Sequence, residues 1–123
     1  MNDDSETTPN RRLARAQRIT SPLAFAAVYS QARSWRGRCM VLWLGTGTGA
    51  ALRLGVVASR KVGNAVQRAR AKRRLRAAYR LSRGRLHGNG DVILIARRGI
   101  LFAEWREVIQ ELLDLAGKAG LCR

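Results

Sequence analysis

Arg68, Lys72, Arg76 and Arg80 recur at four-residue steps, with Arg70 and Arg73 among them, in a stretch of chain that holds no acid. On a helix that spacing gathers the four into one arc, with Arg73 close beside it. Like charges one turn apart cost each other a few tenths of a kcal/mol per pair, so the free chain gains nothing from the row. A phosphate backbone reverses the sign of that term, because each Lys or Arg displaces condensed counterions from it. An ordinary solvated helix face would intersperse Glu or Asp, and none is present here. The chemistry on offer is recognition of a polyanion by charge and by guanidinium hydrogen bonds.

The same bias runs through most of the chain. Between Glu6 and Asp91 there are 19 Lys or Arg and no Asp or Glu, and the formal net charge is +16 over 123 residues. That excess predicts a nucleic acid as partner. An anionic membrane surface would call for a basic helix with a broad apolar face of Trp, Phe or Leu, whereas this helix has mainly Ala on its apolar side. No apolar run approaches the length of about 20 residues that spans a bilayer, so no membrane partner is expected. The acidic start, Met1 to Glu6, lacks the basic and apolar regions of a signal peptide, and a cytoplasmic location is expected.

Ahead of the basic row, Arg60 and Lys61 precede Gly63, Asn64 and Ala65. Backbone N–H groups at a helix start favour an anion. Asn64 reads equally as a simple helix cap, and both roles are compatible. Single-stranded RNA is held by a basic groove and by rings on which bases stack. Phe25 and Tyr29 lie one helical turn apart, and Trp43 sits on an apolar run from which it could project toward them. Packing in the core is the alternative for all three rings.

Protein-based catalysis finds little support. His87 is the only histidine and stands in a Gly-rich loop, so no nucleophile–histidine arrangement can be assembled. Glu104, Glu107, Glu111 and Asp114 have the spacing of the solvated side of an amphipathic helix. Asp91 either opens a strand or touches a metal, and the sequence does not decide between them. Cys39 and Cys122 form neither a disulfide framework nor a metal-ligand pattern. No catalytic residue and no protein metal ligand is expected.

The elements that must position these groups follow from periodicity. Residues 1–17 read as a polar and basic extension, residues 18–118 as one domain and residues 119–123 as a tail. Ser21 and Pro22 look like the cap and first position of a helix whose apolar face carries Phe25, Val28, Tyr29 and Ala32. Cys39 to Leu44 and Leu52 to Ser59 read as two strands joined by a flexible Gly-Thr turn. Ala65 to Leu81 is a second helix, with Ala71, Leu75 and Ala78 toward a sheet. Asp91 to Ala96 is a buried strand, so strand, helix and strand succeed one another as in a βαβ unit. A last helix begins near Phe102, buries Trp105, Val108, Ile109, Leu112, Leu113 and Ala116, and ends at Gly117.

The stretch from Leu54 to Arg76 resembles the signature of the bacterial ribonuclease P protein subunit family. In that family a strand ending in Ser and two basic residues runs into Gly-Asn-Ala-Val, then Arg-Asn-Arg, a Lys-Arg pair and a further Arg. Here those places are Ser59, Arg60 and Lys61, then Gly63 to Val66, Arg68 and Arg70, Lys72 and Arg73, and Arg76. The similarity extends to Arg18, Ile19, Phe25, Val28 and Tyr29, and to Gly90 through Arg98. Ala69 departs from the family Asn, Arg74 takes a position usually apolar, and Ala77 one that is often acidic.

The resemblance implies an α/β fold of the α+β two-layer sandwich kind, a small mixed sheet packed by helices, with a left-handed βαβ crossover against the usual rule. It implies an accessory role in an endoribonuclease whose RNA subunit is the catalyst and frees the 5′ leader from precursor tRNA. Asn64, Arg68, Arg70, Lys72, Arg73 and Arg76 are then expected to meet the ribonuclease P RNA. Phe25, Tyr29, Trp43, Arg60 and Lys61 are expected to line the cleft for the leader. Mg2+ would be held mainly by the RNA subunit, and no protein partner is implied. The other reading is a general or ribosome-associated RNA-binding protein of similar fold.

Overall fold

The computed structural model describes residues 17–46 and 51–122. The extension, up to residue 16, and most of the Gly-Thr turn lie outside the described residues. Helix α1 spans Pro22–Ser30, strand β1 Ser34–Arg36, β2 Met40–Gly45, β3 Arg53–Val57, helix α2 Ala65–Ser82, β4 Asp91–Ala96 and α3 Trp105–Lys118. The four strands form one sheet in the order β1-β2-β4-β3.

The two strands expected on either side of the Gly-Thr turn are present as β2 and β3, but they are not neighbours. β4 lies between them, antiparallel to β2 and parallel to β3. A strand with neighbours on both edges and helices on both faces must be apolar at every turn of the pleat, and Val92 to Ala96 meets that demand while Arg53 on β3 does not. β3 therefore stays at the edge. Strand β1 was not expected. Its three residues pair antiparallel with β2 through a short turn at Gly37, too short a stretch for periodicity to register.

Alternation divides the sheet into two faces. Met40, Leu42 and Leu44 of β2, Leu54 and Val56 of β3, and Val92, Leu94 and Ala96 of β4 turn to α2 and α3 and form the main core with Leu75, Val108 and Leu112. Val28 and Ile19 meet Ile93 on the opposite face, which α1 covers only in part. Gly45 lets that helix approach: a Cβ there would lie 2.9 Å from a Val28 methyl.

The helix boundaries follow local chemistry. Ser21 accepts the Leu23 N–H at 3.1 Å and Pro22 takes the first helical position. Asn64 and Gln67 form a reciprocal capping box at the start of α2, with bonds of 2.9 and 2.8 Å. α3 starts later than expected, at Trp105, because residues 98–101 make a separate 3-10 turn that leaves Phe102 exposed. Gly117 lies inside α3, not at its end; Ala119 is the cap, and Gly120 supplies the positive φ of +83° that follows it. Beyond α3, Leu121 is buried and its carbonyl accepts the His87 N–H at 2.7 Å.

Two acids take on unexpected tasks. Asp91 opens β4, is buried, and receives both Nε and Nη2 of Arg53 at 2.7 Å. This pair joins the first residues of the parallel strands and so holds their register. Glu111 was expected on a solvated helix face, yet its carboxylate accepts the N–H groups of Arg38, Cys39 and Met40 at 2.8, 2.8 and 3.0 Å. It closes the β1–β2 turn, which approaches because Gly37 has no side chain: a Cβ there would lie 2.5 Å from Glu111 Oε2.

Candidate RNA interface

The helix α2 carries the densest charge, and the structure separates its cations by what each one touches. Ala71, Leu75, Ala78, Tyr79 and Ser82 are buried and fix which arc faces outward. Arg70, Arg73 and Arg76 are exposed, and Lys72 and Arg80 are half-buried at the flanks. Arg68 lies beside the buried face and donates to the Gly63 carbonyl at 3.0 Å, which ties the first turn of α2 to the loop before it. Asn64 likewise serves as the cap. Both positions leave charge or amide at the helix start, but their fixed partners are within the protein.

Arg74 belongs to the fold. Its guanidinium donates to the Ile100 carbonyl and, at 3.0 Å, to that of Ala103, and its Cζ stands 5.5 Å from the centre of the Trp105 ring. A long cation thus does the work of an apolar side chain at this position, by satisfying two carbonyls ahead of α3 and stacking on a ring. Ala69 stands exposed among the cations of α2 and leaves that place without an amide.

The aromatic residues assemble on the α1 face. Tyr29 and Trp43 meet edge-on with ring centroids 5.1 Å apart. Phe25 lies over Gly55 of β3, where a Cβ would come within 2.6 Å of its ring. All three rings are half-buried and pack against Ile19, Val28 and Ile93. Packing and ring exposure therefore coexist, because a nine-residue helix covers only part of the sheet. Beyond α1 the sheet presents a row in register, Arg36, Val41, Ile95 and Val57, as an open floor. Burial pushes the Tyr29 hydroxyl above its ordinary value, so this ring is neutral at any physiological pH.

Arg60 and Lys61 are exposed just past the carboxyl end of β3. Arg97 and Arg98, which the sequence placed within the family match but gave no site role, follow β4 in the same way. Parallel neighbours end on the same side of a sheet, so Lys61 and Ser59 come to border one cleft of about 500 Å³ with Arg97 and Arg98. The signal was available only in part: two basic pairs, each directly after an apolar run. Arg97 also donates to the Gly37 carbonyl at 2.7 Å, and Arg98 stands over the Phe102 ring at 5.8 Å.

The described carboxylates are dispersed along α3 and its cap and at the start of β4. Among the described residues no group of three His, Cys, Asp or Glu side chains could hold an ion. Asp91 is engaged by Arg53, Glu111 by three amides, Glu107 by the Glu104 N–H and Asp114 by Gln110. Each of the four thus has at least one oxygen committed to a protein donor.

Fold, charge and rings together define an RNA-binding α+β sandwich. A family model described as Ribonuclease P matches residues 13–120. The ribonuclease P protein component of Symbiobacterium thermophilum is 42% identical over 109 residues, covering 85% of this chain and 95% of that protein. That of Herpetosiphon aurantiacus is 34% identical over 109 residues, covering 89% of each. The structure of the Staphylococcus aureus RNase P protein superposes with a TM-score of 0.75 at 25% identity, over 87% of this chain and 98% of that one. The Thermotoga maritima RNase P protein shares the fold, with a TM-score of 0.73 at 24% identity over 82% of this chain and 96% of that one.

The chain belongs to the ribonuclease P protein family. It is thus a protein component of the tRNA-processing ribonucleoprotein, and its partner is the ribonuclease P RNA. Cleavage is the work of that RNA; the protein is the accessory part of the endoribonuclease.

Proposed function

We propose that residues 18–118 support 5′ maturation of tRNA by holding two RNAs on two surfaces. The outer face of α2, with Arg70, Lys72, Arg73 and Arg76 and with Arg68 and Asn64 at its start, meets the ribonuclease P RNA. The partly covered α1 face, with Phe25, Tyr29 and Trp43, takes the single-stranded 5′ leader of precursor tRNA, whose phosphates run toward Arg60, Lys61, Arg97 and Arg98. The observation that carries this reading is that three half-buried rings and a basic cleft at the carboxyl ends of β3 and β4 share one sheet face, with Ile95 in both the ring cluster and the cleft wall. Rings supply stacking to any base and cations track the backbone, which suits a leader of varied sequence. Mg2+ is held mainly by the RNA in this scheme, and the protein lowers the ion concentration needed by neutralising phosphate. The cytoplasm is the expected site of action.

The test is cleavage of precursor tRNA by the ribonuclease P RNA of the same organism at low millimolar magnesium, with and without the protein. Strong stimulation at the 5′ site is expected, and it should be lost in a Phe25→Ala, Trp43→Ala double variant that still binds the RNA subunit. Full stimulation by that variant would overturn the leader assignment.

A further inference from the structure

A second cleft, of about 330 Å³, lies at the outer edge of β3, away from the carboxyl-end cleft described above. Its lining includes Arg18, Thr20, Phe25, Val56, Arg76 and Arg80. The edge strand is only half covered here. Ile19 donates to the Leu54 carbonyl at 2.9 Å, and the chain then turns away into α1. Because residues two apart on a strand point their backbone groups the same way, Val56 presents its N–H and C=O toward the cleft. No described backbone group pairs with them from outside the sheet.

Three cations border that opening without a carboxylate among them. Arg53, Arg68, Arg74 and Arg97 each donate to a protein acceptor, whereas Arg76 and Arg80, one turn apart, have no such hydrogen bond or ion pair among the described residues. Paired guanidiniums of this kind suit a phosphate, which accepts from both forks. The Phe25 ring beside Gly55 gives the other end of the cleft an apolar wall. A volume near the lower end for ligand pockets admits one nucleotide and excludes a helix or a folded protein segment.

We propose that the β3-edge cleft binds a single RNA nucleotide, with its phosphate at Arg76 and Arg80 and its base between Phe25 and the open backbone of Val56. This deepens the two-surface reading and rests on it for the class of ligand. The cleft joins those surfaces, since Phe25 reaches it from the α1 face and Arg76 from α2. The nucleotide comes either from the ribonuclease P RNA or from the leader, and the chemistry of the pocket is the same for both.

Titration of the intact protein with adenosine 5′-monophosphate, followed by amide chemical shifts, tests this. Shifts at Thr20, Gly55 and Val56 are expected, with the dissociation constant raised about tenfold by Arg80→Ala, the loss of one charged hydrogen bond. Arg70→Ala, on another part of α2, should leave it unchanged. Equal shifts at these amides with inorganic phosphate would reduce the cleft to an anion site and overturn the nucleotide assignment, as would no shift at Val56. Trp43→Ala separates the two readings, since it disturbs the leader groove and should leave the Val56 shift intact. Weaker assembly of Arg80→Ala with the RNA subunit identifies that RNA as the source, and lost preference for precursor over mature tRNA identifies the leader.

Discussion

Tyr29 on α1 meets Trp43 on β2 with the ring planes at 89° and the centroids 5.1 Å apart. Such an edge-to-face pair adds about 0.5–1.5 kcal/mol beyond area burial, and here it pins the short helix to a sheet face that it does not fully cover. The same contact leaves part of each ring exposed.

Trp43→Ala should therefore lower stability and also lower affinity for precursor tRNA by about 1–3 kcal/mol, with little effect on mature tRNA. Trp43→Phe keeps a ring in place and should recover most of both. Binding of the two tRNAs by filter retention distinguishes stacking from packing: equal losses for both would mean that the ring serves the fold alone.

Arg68 and Arg70 should part company. Each is expected to contribute about one unit to the salt slope of binding to the RNA subunit. Arg70 is exposed, so Arg70→Ala should change the slope and leave the urea midpoint alone. Arg68→Ala also removes the bond to the Gly63 carbonyl and should cost about 1 kcal/mol of stability in urea unfolding. An unchanged slope for Arg70→Ala would remove it from the interface.

Glu111→Gln replaces a carboxylate that accepts three amides by a group with a single acceptor oxygen. Hydrogen bonds to charged groups contribute about 1.5–3 kcal/mol each, so a loss of about 2 kcal/mol or more is expected in denaturant unfolding. Faster amide exchange at Arg38, Cys39 and Met40 would locate the damage, and protection equal to the parent would contradict the role.

Tyr79 links stability to alkaline pH. Burial pushes its hydroxyl above the ordinary 10.0, with Arg83 pulling more weakly in the other direction. The unfolded chain loses this proton near the ordinary value while the folded chain keeps it. The contribution is thus complete below about pH 10 and is lost as pH rises through the raised folded value. Tyr79→Phe should flatten the fall in urea midpoint between about pH 9 and pH 11, leaving the share due to Tyr29.

The cations of α2, the Ser21–Pro22 start of α1 and the apolar run of β4 were legible because each is a local pattern: helical period, cap chemistry, continuous burial. So was the ring trio as a set of residue types, and the motif from Ser59 to Arg76 named the family. Three things required the tertiary structure. The insertion of β4 between β2 and β3 depends on which strand can be buried on both edges and both faces, a competition among distant segments. The meeting of Lys61 with Arg97 and Arg98 follows from that order, since only parallel neighbours bring those ends together. The work of Arg74 and Glu111 inside the fold was hidden because a charged side chain looks the same in sequence whether it faces water or distant backbone groups. Sequence determined the local faces and the charge; chain crossing and long-range hydrogen bonding decided which faces meet.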